Sequence, residues 1–140
     1  LDLTLIGNIL GVELSQEFMV RKLLVLGYCA IGSNSYEVYE SGALNAGLVI
    51  AISKSGKTNT ILKPVQDSFA QHRSIIAFVG ADNSPIARCA DPAFVLLDDK
   101  MLDDRNLTAN YFYARVLITF EYLMDLVLEK DEHPNGKEGQ

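Results

Sequence analysis

The sequence predicts an α/β fold, a doubly wound parallel sheet flanked by helices on both faces, and three observations carry that expectation. Short apolar runs alternate with longer stretches of helical period along most of the chain. The clearest run, GLVIAIS at 47–53, is apolar throughout, as a strand is when both faces of a parallel sheet are covered. The runs are joined by helix-length connections, and parallel strands need such crossovers where antiparallel ones need only a tight turn.

In order, LTLIG at 3–7 reads as the first strand and VELSQEFMVRKLLVL at 12–26 as the first helix. In that helix Leu14, Phe18 and Val25 share a face at helical intervals, Arg21 and Lys22 lie toward its wet edge, and Gly27 stops the run. YCAI at 28–31 is a second strand, and SNSYEVYESGAL at 33–44 suits a short helix after a polar loop. After the central strand come TNTILKPVQDSFAQ at 58–71 as a helix, SIIAFVG at 74–80 as a strand, SPIARCA at 84–90 as a short helix with Pro85 at its first position, and AFVLL at 93–97 as the last strand. Pro64 deletes a backbone hydrogen bond and costs about 3 kcal/mol inside a helix. Either its helix starts near Ile61, placing Pro64 in the first turn, or it starts at Thr58 and kinks.

The last helix, Asn106 to Lys130, is apolar nearly all round through YFYARVLITFEYLM, with a polar stripe only at Glu121, Asp125 and Glu129. One face is expected on the sheet and another on a second subunit, giving a homodimer or higher assembly. Residues 1–130 are expected to form one domain, and the tail DEHPNGKEGQ at 131–140, lacking a large apolar anchor, to be disordered.

At 140 residues, 49% hydrophobic and 21% charged, the composition is that of a single globular domain. No apolar stretch approaches the roughly 18 residues that a membrane span needs. The chain opens on LDLTLIGNIL, with neither a basic leader nor an initiator methionine, and reads as a piece of a larger protein. A net charge of −6 argues against this segment gripping nucleic acid, which needs a concentrated basic face, so any DNA reading is expected elsewhere. Cys29 and Cys89 form no CxxC pair and are expected as free thiols in a cytoplasmic protein. No metal site or cofactor is expected.

The stretch AISKSGKTNT at 51–60 breaks an apolar strand into hydroxyls, a glycine and two lysines where a helix begins. Helix N-termini favour anions, hydroxyls at Ser53, Ser55 and Thr58 can donate to one, and Gly56 lets the backbone approach closely. Lys54 and Lys57 add charge if they turn inward. These features predict a phosphate pocket; the alternative is that the hydroxyls only cap the helix. A nucleotide-binding P-loop fits poorly, because that motif needs a glycine where this chain has Ala51.

IAISKSGKT at 50–58, followed by IIAFVGADNSPIARCAD at 75–91, resembles the sugar isomerase, or SIS, domain, and most of all the ligand domain of RpiR/MurR-type bacterial transcription regulators. The resemblance implies a five-stranded parallel sheet that binds a phosphorylated sugar or amino sugar, with Ser53, Ser55 and Thr58 as phosphate contacts and a helix-turn-helix domain outside this chain. Two departures stand out. The first loop, normally Gly-x-Gly-x-Ser, reads GNILG from Gly7 to Gly11, and Val79 occupies a place that usually carries a hydroxyl.

Asn8, Asn34 and Ser35 are candidate further ligand contacts at the same rim, although Asn34 and Ser35 also suit a turn or cap. Ser84 and Pro85 read as helix starters, and Asp98, Asp99, Asp103 and Asp104 as residues suited to a helix N-terminus. No catalytic residue is assigned. Isomerisation needs a base, neither His72 nor His133 is well placed, and Glu37 and Glu40 suit a solvated helix face. The sequence therefore favours a phosphosugar-sensing effector domain over its alternatives, a sugar-phosphate isomerase or a degenerate domain kept for dimerisation.

Overall fold

The computed structural model describes residues 5–10, 13–32, 47–96 and 111–132. Their elements are β1 (Leu5–Leu10), α1 (Glu13–Val25), β2 (Cys29–Gly32), β3 (Leu48–Ser53), α2 (Asn59–Ala70), β4 (Ser74–Val79), α3 (Pro85–Cys89), β5 (Ala93–Val95) and α4 (Phe112–Glu132). The described strands form a sheet in the order β2-β1-β3-β4-β5, every pairing parallel. The doubly wound α/β expectation is met.

Alternation along β3 and β4 divides the core into two layers. Ile50, Ile52 and Phe78 face one side, where Met19 and Leu23 of α1 and Phe112, Val116 and Phe120 of α4 cover them. Val49, Ala51, Ile75, Ala77 and Val79 face the other, under Ile61 and Val65 of α2 and Ile86 of α3. Both faces are therefore apolar, which is why GLVIAIS shows no alternation.

Three expectations are corrected. The first strand runs to Leu10, so Gly7, Asn8 and Ile9 are paired with β2 and β3 rather than forming a loop. Neighbours on both sides satisfy the backbone there, and this outweighs the weak strand preference of Gly and Asn. In α1, Leu14 and Val25 are 79% and 77% exposed; Ser15, Met19 and Leu23 form the buried stripe. The helix is apolar on two sides, so spacing alone could not tell which side meets the sheet. α4 continues to Glu132, two residues past the expected end.

α2 begins at Asn59, so Pro64 lies inside the helix and not in its first turn. Its buried ring packs toward the sheet side of the helix with Ile61 and Val65. No described helix is long and apolar enough to cross a membrane. The expected helix at 33–44, the aspartates at 98–104, Asn34, Ser35, Glu37, Glu40 and His133 lie outside the described residues.

Candidate functional site

The chain reverses its direction of strand addition between β1 and β3, and ligands of open α/β sheets bind beyond the carboxyl ends of the strands at such a point. The connection from β3 to α2, residues 54–58, emerges there. β3 ends at Ser53, whose side chain falls on the α2 side with Val49 and Ala51 and is 3% exposed.

Ser53 organises the loop. Its Oγ accepts a hydrogen bond from the Gly56 N–H at 3.0 Å and lies 2.8 Å from Thr58 Oγ1. Gly56 N–H also approaches the Ser53 carbonyl at 3.2 Å, closing a tight turn in which Gly56 takes φ +74°. That left-handed conformation strains other residues and suits glycine. Above this buried floor, Ser55, Lys57 and Thr58 are exposed and Lys54 is partly so. The Lys57 N–H donates to Ser55 Oγ at 3.2 Å, which draws that hydroxyl toward the following residues.

The capping alternative can now be separated for each hydroxyl. Thr58 is the N-cap residue of α2 in extended conformation (φ −61°, ψ 120°), yet its side chain makes no capping hydrogen bond. Its hydroxyl turns to Ser53 instead. The Thr58 carbonyl accepts from the N–H groups of Ile61 and Leu62. The opening of the helix thus carries its dipole without a cap from the Thr58 side chain.

A neighbouring loop holds this one. The Gly80 N–H donates to the Lys54 carbonyl at 2.9 Å, and the Ile86 N–H donates to the Gly56 carbonyl at 3.0 Å. Ser84, the N-cap of α3, accepts from the Ala87 N–H through its Oγ at 3.4 Å and lies directly against Gly56. The sequence suggested only the capping role, because nothing in local spacing brings residues 56 and 84 together. Val79, standing where a hydroxyl was expected, is fully buried beneath Gly56.

The candidate residues are not all brought together. Ser53, Lys54, Ser55, Gly56, Lys57 and Thr58 form one continuous loop. Asn8 sits opposite Val49 within β1, below the strand's last residue Leu10, and so occupies a strand interior instead of the expected loop. Among the described residues, no group of three or more His, Cys, Asp or Glu could hold a metal ion.

No family model and no curated protein matches the sequence. Solved structures do. The Vibrio vulnificus NanR protein complexed with ManNAc-6P superposes with a TM-score of 0.75 at 18% identity, covering 91% of this chain and 51% of NanR. The sugar isomerase domain of an RpiR transcription factor from Sphaerobacter thermophilus gives 0.57 at 16% identity, covering 92% of this chain and 78% of that one. This chain has the sugar isomerase (SIS) fold. MJ1247 from Methanococcus jannaschii, for which a 3-hexulose-6-phosphate isomerase function is inferred, gives 0.67 at 20% identity over 93% of this chain and 72% of its own. Similar structures thus include a domain of a transcription factor and a protein with an inferred isomerase function, and this chain spans about half the length of NanR.

Proposed function

We propose that this SIS domain binds a phosphorylated sugar or amino sugar and acts as the effector domain of a bacterial transcription regulator, with DNA bound by a separate domain. The observation that carries the reading is the hydroxyl relay at the end of β3. Gly56 N–H occupies one lone pair of Ser53 Oγ, so Ser53 can donate its proton to Thr58 Oγ1. In that orientation the Thr58 proton is left for an outside acceptor at the opening of α2, with the exposed Ser55 hydroxyl three residues before it, and an anion bound there would gain charge-assisted hydrogen bonds. Lys54 and Lys57 supply positive charge beside it in an otherwise acidic chain.

The likeness to NanR, itself complexed with a phosphosugar, supports the ligand class. The likeness to MJ1247 supports a second reading, a sugar-phosphate isomerase. Thermal stabilisation against a panel of sugar phosphates, each beside its unphosphorylated parent, tests the first. A ligand at about 100 times its dissociation constant adds some 2.7 kcal/mol. Shifts confined to phosphorylated sugars support the pocket, and turnover of the sugar that shifts the domain transfers the assignment to the isomerase.

The domain is further proposed to act as a cytoplasmic homodimer through the outer sides of α1 and α4. Leu14, Phe18, Ile118 and Tyr122 are exposed there, and the two helices touch through the Phe18–Phe120 ring contact and the Lys22–Glu121 ion pair. Paired helices presenting several large apolar side chains are a surface that association covers. An Ile118→Asp/Tyr122→Asp variant should sediment as a monomer where the parent does not; a parent that is already monomeric at high micromolar concentration refutes the interface.

A further inference from the structure

Gly56 sits in a socket. A Cβ built on it would run into the Oγ and Cβ of Ser84, and would meet Val79 Cβ at 3.8 Å. Both walls are buried, Val79 completely and Ser84 to 6% exposure. The obstructing atoms are the first atoms of a short side chain fixed at the start of α3, where Ser84 Oγ accepts from the Ala87 N–H and the Ser84 carbonyl from the Arg88 N–H at 3.0 Å. They cannot swing aside as the tip of a long side chain can. From the socket, Gly56 reaches the ligand loop in two directions: its N–H holds Ser53 Oγ, which holds Thr58 Oγ1, and its carbonyl is tied to Ile86.

We infer that Ser84 is a positioning residue for phosphate recognition, acting through Gly56 and not by touching the ligand. Its side chain closes the socket, which keeps Gly56 in its left-handed conformation and its N–H aimed at Ser53. Ser53 in turn is committed to Thr58, so the hydroxyl presented to the anion is set from the β4–α3 connection. The same arrangement accounts for the pairing of a glycine at 56 with a small residue at 84: a larger residue at either place would displace the other. Rigid preorganisation of this kind lowers the cost of binding, because the loop need not be ordered by the ligand.

The ligand half of the inference rests on the phosphosugar reading, while the packing half does not, and one experiment separates them. Amide hydrogen exchange at Gly56 is followed by NMR in the unliganded domain for wild type, Ser84→Gly and Ser84→Ala, and affinity for glucosamine 6-phosphate is measured on the same samples. Glycine is a tolerated N-cap, so Ser84→Gly should stay folded. Opening the socket should speed Gly56 exchange by about tenfold or more and weaken binding by about tenfold, the loss of one charge-assisted hydrogen bond. Ser84→Ala retains the Cβ and should keep most of the Gly56 protection. Exchange at Gly56 that is unchanged in Ser84→Gly, or equally fast in both variants, overturns the socket. Fast exchange with unaltered affinity overturns its role in recognition. Should the wild type bind neither glucosamine 6-phosphate nor any other sugar phosphate of the thermal panel, the functional reading falls, and the exchange rates still decide the socket.

Discussion

Ser53→Ala and Ser55→Ala, two changes of the same chemistry two residues apart, should fail in different ways. Ser53 is buried, and its hydroxyl joins Gly56 N–H at 3.0 Å to Thr58 Oγ1 at 2.8 Å. Alanine removes both interactions. The Gly56 N–H retains the Ser53 carbonyl at 3.2 Å, and Thr58 is exposed to water, so neither group is fully orphaned. With a net value near 1 kcal/mol for each ordinary hydrogen bond, the loss is about 1 to 2 kcal/mol. In a domain of this size that lowers the unfolding midpoint by roughly 3 to 8 °C.

Ser55 is exposed and, among the described residues, accepts a local hydrogen bond from the Lys57 N–H. Its removal should change stability by no more than about 0.5 kcal/mol, yet cost about 1 to 3 kcal/mol of phosphosugar binding. Thermal unfolding followed by circular dichroism and calorimetric titration with glucosamine 6-phosphate read the two quantities. The reasoning fails if Ser53→Ala unfolds at the wild-type temperature. It fails equally if Ser55→Ala destabilises as much as Ser53→Ala, or binds the ligand as well as the parent does.

Two other outcomes follow from the packing. Phe120 is 1% exposed within the α1–α4 layer and meets Phe18 edge to face at 6.4 Å, so Phe120→Ala should cost about 3 to 5 kcal/mol in urea unfolding. A cost below about 1 kcal/mol would mean that this layer is not a packed core. Burial pushes the Cys89 thiol above its usual range against the opposing effect of Arg88, which lowers its thiolate fraction. Cys89 should therefore be alkylated near neutral pH more slowly than an unhindered cysteine peptide, with equal rates counting against the assigned environment.

The fold was legible because its strongest signals are local. A fully apolar run followed by small polar residues reads as an inner strand entering a loop at a helix start, and β3 with residues 54–58 has that structure. The same locality explains the errors. Gly7, Asn8 and Ile9 have the composition of a loop, and they extend β1 because two neighbouring strands complete their backbone hydrogen bonds. Thr58 has the composition of a helix cap, but its hydroxyl is drawn to Ser53.

The sequence alone determined the alternation of strand and helix, the inner position of β3, and the identity of the hydroxyls at its end. Those depend on residue type and short spacing, which the linear order preserves. Tertiary structure alone decided that Ser15, Met19 and Leu23 rather than Leu14, Phe18 and Val25 form the buried side of α1, because the helix is apolar on two sides and the free energy of burial depends on which side finds a partner. It alone brought Ser84 and Val79 to Gly56, since close packing joins residues without regard to their separation along the chain.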